Sequence, residues 1–146
     1  MDIYRKKWIQ GNFLKQVQIP QIQIPENNWI EYESYMKAHV LSLRNEVATL
    51  LVDFPPEGSE DNDLHCHPKS HRRITVLRGS GEFYAVKDGT LDIYSLAQGD
   101  RVWMPRGILH TFKSGKEGML VESIHDPFIP LHHPHCLVYP RKKNEL

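Results

Sequence analysis

The chain has 146 residues, and its 18 Lys and Arg balance 18 Asp and Glu, so the formal net charge is zero. That balance argues against a nucleic-acid binder, which needs a basic surplus to neutralise phosphates, and against an electrostatic membrane anchor. At 40% hydrophobic and 25% charged residues the composition is that of one folded domain with a core, and no apolar run is long enough to span a bilayer.

Met1 to Gln10 carries charges with no apolar stretch behind it, so a secretory signal is not expected. Ile3, Tyr4, Trp8 and Ile9 are expected to pack on the domain or to pair as an edge strand. With only Cys66 and Cys136 available, a disulfide framework is not expected either, and the expected compartment is a reducing cytoplasm. Residues 1–40 read as an N-terminal extension. Within it, Gln18 to Pro25 alternates polar and apolar between prolines, which predicts an extended edge segment, because proline cannot donate a ladder hydrogen bond. Trp29, Tyr32 and Met36 are spaced three and four apart behind Asn27 and Asn28, which predicts one short capped helix.

From residue 41 to 126 the pattern changes to short β-runs broken by turn residues. Val47–Phe54 ends at Pro55-Pro56. Ile74–Leu77 ends at Arg78-Gly79-Ser80-Gly81. Glu82–Val86 and Leu91–Leu96 flank Lys87-Asp88-Gly89-Thr90, and Asp-Gly between two β-runs is a strong hairpin signal. Gln98-Gly99-Asp100 precedes a run over 101–105, His110–Lys113 follows, and Gly115 to Gly118 separates it from Met119–Ile124. Many short strands with regular turns predict an all-β sandwich or barrel. Residues 127–146, rich in Pro and His, read as a tail that wraps the barrel.

Nine histidines are present, most of them beyond residue 64. In His65-Cys66-His67 the two imidazoles are two residues apart, so on a strand both face one side and can chelate one ion while Cys66 faces away. Cys66 itself reads as a small buried residue, since no activating base is evident. A second group runs from Gly99 through Pro105 and Gly107 to His110, with glycines where reversals are needed. Antiparallel pairing can bring His110 onto the first pair. His132, His133, His135 and Cys136 read as a surface or closing loop, or as a second metal site. Glu82 and Glu122 are candidate acid–base groups if they face inward, and His125-Asp126 is a poor catalytic pair because strand neighbours face opposite ways.

Taken together, the two groups resemble the two motifs of the cupin superfamily. The second motif is matched by Gly99, Pro105, Gly107 and His110, with Ser114 where asparagine is usual. The first is matched by His65, His67 and Gly79, with Gly58 one residue further upstream than usual. The resemblance covers about residues 47–124 and implies a double-stranded β-helix (jelly-roll) barrel. It also implies a divalent metal inside, held by His65, His67 and His110, and a homodimer formed through the N-terminal strands.

The family's glutamate ligand falls at Arg72, and arginine cannot bind a cation. A one-residue slip instead puts His71 there as a fourth nitrogen ligand. Three neutral imidazoles resemble the iron centre of thiol dioxygenase cupins and favour iron, zinc or nickel over manganese or magnesium. An inward Arg72 would attract a carboxylate or phosphate; without a metal, it would bind an anion alone. Tyr84, Trp103 and Phe112 are candidates to line the pocket beside it. The implied function is a metalloenzyme, dioxygenase-like, acting on a small anionic organic substrate. The alternatives are a non-catalytic anion-binding or sensing module and an isomerase that moves a proton through a histidine or tyrosine.

Overall fold

The structure is a computed structural model and describes residues 14–32, 36–56 and 64–131. Those residues form eight strands and no helix. In chain order they are β1 (Leu14–Gln16), β2 (Ile30–Tyr32), β3 (Met36–Arg44), β4 (Val47–Phe54), β5 (His71–Lys87), β6 (Thr90–Ala97), β7 (Asp100–Met104) and β8 (His110–Asp126). All are joined in one antiparallel sheet of order β1-β7-β5-β8-β4-β3-β2, with β6 on the far half of β5. No helix among the described residues is long and apolar enough to cross a membrane. Ile3, Tyr4, Trp8, Ile9, His132, His133, His135 and Cys136 lie outside the described residues.

The predicted hairpin forms as read. Lys87 pairs with Thr90, and Asp88 and Gly89 both take positive φ, 52° and 77°, the two-residue turn whose twist matches its strands. Two expected strand breaks do not occur. The runs at 74–77 and 82–86 are one continuous β5, and the runs at 110–113 and 119–124 are one continuous β8. The glycines between them bend the strands rather than reverse them. Gly79 has φ 82° and lies against Gly118, which has φ 81°, and the pairing of β5 with β8 shifts register at this level. The bend is what lets β5 pair with β7 at its start and with β6 at its end. A glycine cluster inside a strand and one at a turn look alike in sequence.

The described residues of the predicted helix through Trp29, Tyr32 and Met36 are not helical. Ile30–Tyr32 and Met36 onward form an antiparallel pair, with Tyr32 opposite Met36. Asn28 has φ 69°, which turns the chain instead of capping a helix. A short helix offers few hydrogen bonds of its own, whereas the open edge of β3 offers a ladder, so tertiary pairing overrides the spacing.

One face of the sheet closes around a core that includes Leu50, Val52, Phe54, Ile74, Val76, Phe83, Tyr94, Phe112 and Val121. The opposite face of β4, β5 and β8 carries Leu51, Leu77 and Leu120. Ile19 and Ile22 from the irregular segment after β1 cover these three, together with Trp29 and Leu41. Val17 N donates to Gly99 O at 2.9 Å, which ties that cover to the barrel, and Trp29 Nε1 donates to Pro25 O at 2.9 Å within the cover itself.

A Cβ at Gly79 would collide with the Gly118 carbonyl, whereas one at Gly89 meets nothing. Both positions have positive φ. Gly89→Ala is therefore expected to cost about 1–2 kcal/mol from the dihedral alone. Gly79→Ala is expected to cost distinctly more, about 3 kcal/mol or above, because the backbone must also move. Urea unfolding of the two variants checks this ordering.

Candidate metal centre

His65 sits just before β5 and reaches the start of β8 through the backbone. Its N–H donates to His110 O at 2.9 Å, and His110 N–H donates to His65 O at 2.8 Å. Gly107 N donates to His67 O at 3.1 Å, so the turn before His110 holds the other end of the first pair. Gly107 takes φ 76°, a conformation the turn requires and glycine allows.

These contacts bring the three imidazoles together. Ring centroids are 5.1 Å apart for His65 and His67, 4.6 Å for His65 and His110, and 5.0 Å for His67 and His110. Each ring offers one nitrogen such that all three nitrogens lie within 4.8 Å of one another, and all three residues are buried. Alternation puts Cys66 on the other side, half-buried, where burial pushes its thiol pKa up and keeps it unreactive.

His110 Nδ1 lies 2.9 Å from Ile108 O. A carbonyl can only accept, so Nδ1 carries the proton and Nε2 keeps its lone pair, the tautomer a metal ligand needs. Burial pushes the pKa of His110 well below the usual histidine value. His65 and Arg72 push it the same way, and the Ile108 carbonyl opposes them. The ring is therefore neutral at ordinary pH. Buried, convergent nitrogen donors fit a divalent transition ion, which would accept an electron pair from each.

The cavity holding the trio has a volume of about 30 Å³, enough for an ion and a water or two. Its other walls are largely apolar, among them Met36, Phe54, Met104 and Phe112. The polar remainder is Arg72, Ser123 and His125. Arg72, 3% exposed, and His125, 0% exposed, are partners across β5 and β8. Ser123 Oγ and His125 Nε2 share a hydrogen bond of 2.7 Å, and His125 Nδ1 has no partner. Burial first and Arg72 second hold the pKa of His125 well below the usual value.

His71 is not brought to the trio. It lies on the outer face beside Arg73 and stacks on Trp103 with ring centroids 5.9 Å apart and 17° between planes. Arg106 N donates to His71 Nδ1 at 3.4 Å. The slip that would have turned it inward does not happen, because β5 is regular at this end and shifts register only beyond Val76. The inward residue is Arg72.

Trp103 is likewise outward and 37% exposed, in a groove with His71, Arg73, Ile124 and Asp126 that Arg72 also borders. Tyr84 faces away from Phe83 and the core. Its hydroxyl donates to Glu82 at 2.9 Å, and its pKa is pushed up to about 12 by burial and then by that carboxylate. Of the four residues expected to contact a ligand, Arg72 and Phe112 line the cavity and Tyr84 and Trp103 do not.

Glu82 shares the face of Tyr84. Glu122, between inward Val121 and Ser123, points outward toward Arg101, whose Nε donates to Thr75 Oγ1 at 2.8 Å. Ser114, in the usual asparagine position, donates to Pro55 O. Ser123 and the cavity position of His125 were missed in sequence. Alternation from Val121 through Ser123 to His125 carries that signal, opposite Glu122, Ile124 and Asp126.

Solved structures of similar shape are found widely. KdgF from Halomonas sp. matches with a TM-score of 0.61 and 18% identity over 72% of this chain and 90% of that one. The PAC13 protein of Streptomyces, solved with uridine, matches at 0.62 and 12% over 86% and 93%. Oxalate decarboxylase of Lactobacillus farciminis, solved as a formate complex, matches at 0.60 and 16% over 77% of this chain but only 33% of that one. These neighbours are cupins. The chain has the cupin fold. No protein-family model matches it, and no curated protein sequence matches it either. Arg72, one of the two residues on which the resemblance to the cupin motifs lets the glutamate fall, is the one that is buried.

The metal-free protein is expected to lose stability as pH falls through about 6.5, the value for a histidine in the unfolded chain. Below that pH the unfolded chain takes up a proton that folded His125 refuses, so stability rises with pH across the window. His125→Asn is expected to flatten the slope by up to about 1.4 kcal/mol per pH unit, read from urea unfolding at pH 5–7.

Proposed function

We propose that this cupin binds a divalent transition metal on His65, His67 and His110 and acts on a small anionic organic substrate whose negative end rests on Arg72. One observation carries the reading: the trio and the Arg72 side chain line the same buried cavity. A guanidinium cannot ligate the ion, but it pairs with a carboxylate through charge-assisted, bidentate hydrogen bonds. The volume of about 30 Å³ limits the substrate to a few heavy atoms unless side chains move. Oxalate decarboxylase, a neighbour of the same fold, is solved with formate, and a carboxylate of that size suits this cavity.

A bound iron, zinc or nickel ion would supply Lewis acidity, and iron would add one-electron chemistry with dioxygen. The chain's own groups do the rest. Arg72 orients the negative end. His125, steadied by Ser123, presents Nδ1 as a hydrogen-bonding group, donor or acceptor according to which way the serine hydroxyl turns. Met36, Met104, Phe54 and Phe112 exclude bulk water, which strengthens each polar contact. An isomerase reading would have to move its proton through His125, since Tyr84, Glu82 and Glu122 face away from the cavity. The lack of any Asp or Glu among the described lining residues favours one other reading, a module that binds its anion without turnover.

Metal analysis with oxygen uptake on a panel of small carboxylates separates these readings. The enzyme reading predicts one metal per chain in the wild type, loss of that metal in His110→Ala, and metal-dependent oxygen consumption with at least one substrate. Arg72→Gln is expected to raise KM about tenfold or more, the loss of one charged hydrogen-bonding contact. Stoichiometric metal with no turnover would favour the binding module, and no metal in any preparation would overturn the proposal.

A further inference from the structure

The outer face of β7, β5 and β8 carries a groove of about 250 Å³, against about 30 Å³ for the metal cavity. Arg73 pairs in register with Trp103 on β7 and with Ile124 on β8, and these three side chains line the groove together. The His71 ring stacks on Trp103 with 17° between planes, yet Trp103 stays 37% exposed. An aromatic ring, a guanidinium and an apolar side chain therefore stand in one row across three strands. Arg73 is exposed and makes no ion pair among the described residues. Arg101, two residues before Trp103 on β7, feels Arg73 as a like charge, and Glu122 acts on it the other way. Arg101 Nε is committed to Thr75 Oγ1 at 2.8 Å. An anion at Arg73 would relieve the repulsion between the two arginines. Asp126 also lines the groove, and its carboxylate would repel a second negative charge. The groove thus suits a monoanion, and a guanidinium fork fits a carboxylate through two parallel hydrogen bonds.

We propose that this outer groove is a second ligand site, which binds a planar aromatic monocarboxylate with its ring on Trp103 and its carboxylate on Arg73. Residues directly opposite on antiparallel strands have Cβ atoms about 4.5–5.5 Å apart, a gap that a ring and its attached carboxylate bridge. Ring stacking on the indole supplies affinity for the flat part of the ligand, and Ile124 adds apolar contact beside it. The site is independent of the metal reading. It lies on the opposite face of the sheet from His65, His67 and His110, and a fused aromatic ring is too large for the metal cavity.

Calorimetric titration of the full chain with 2-naphthoate tests this, with three comparison ligands. Cyclohexanecarboxylate keeps the charge without the aromatic ring, 2-naphthalenemethanol keeps the ring without the charge, and 2-naphthyl phosphate adds a second charge. The expected result is one 2-naphthoate per chain, bound about 5-fold tighter than cyclohexanecarboxylate. It should also bind about 10-fold or more tighter than the alcohol, and tighter than the phosphate. Trp103→Leu should abolish the preference for the aromatic ring, and Arg73→Gln the preference for the charge. Trp103→Phe, which keeps a ring, should retain part of the first preference and serves if the leucine variant does not fold. In two-dimensional NMR of the wild type, 2-naphthoate should shift the indole N–H of Trp103. No saturable binding of 2-naphthoate overturns the proposal, as does binding that survives both Trp103→Leu and Arg73→Gln unchanged. Shifts confined to the residues around the metal cavity overturn it too.

Discussion

The site depends on one backbone contact, the pair of hydrogen bonds between His65 and His110. Residues remote in sequence are held at 2.9 and 2.8 Å, and their side chains then have little choice but to converge. The long strand β8 carries His110 at its start, and the same strand delivers Ser123 and His125 to the cavity further along. β5 supplies Arg72 from the neighbouring position. Strands β5 and β8, with the segment just before β5, therefore bring the candidate ligand trio, the cationic anchor and the buried imidazole into one cavity.

The glycine bends serve this arrangement. Without the turn in direction at Gly79 and Gly118, β5 and β8 would be straight and their two halves could not both pair within a closed wall. The irregular segment over residues 17–29 adds apolar cover outside, packing Ile19, Ile22 and Trp29 on Leu51, Leu77 and Leu120. Burial of the lining residues lowers the local dielectric, which makes the neutral state of His110 and the charge of Arg72 matter.

Much of this was legible in the sequence, for physical reasons. Period-2 alternation placed His65 and His67 on one face, and the glycine and proline spacing before His110 marked the reversal that returns it to them. Asp88-Gly89 specified a turn that few other residue pairs can make. What sequence could not settle depended on long-range pairing. Glycines at 79–81 and 115–118 read as turns because their role as bends exists only once β5 and β8 lie side by side. The spacing of Trp29, Tyr32 and Met36 fits a helix equally well until the edge of β3 competes for the chain. The choice between His71 and Arg72 as the inward residue turned on strand register against β7 and β8, which no local pattern contains. Tyr84 and Trp103 were assigned to the pocket on residue type, whereas alternation with Phe83 and Met104 puts them outside.

The most direct test of the account is anomalous diffraction at the metal's absorption edge from crystals of the loaded protein. The account predicts one peak per chain inside the barrel, at about 2.0–2.2 Å from a nitrogen of each of His65, His67 and His110. It also predicts His71 remaining against Trp103 outside. A peak elsewhere, or one shared by fewer than these three rings, would contradict it.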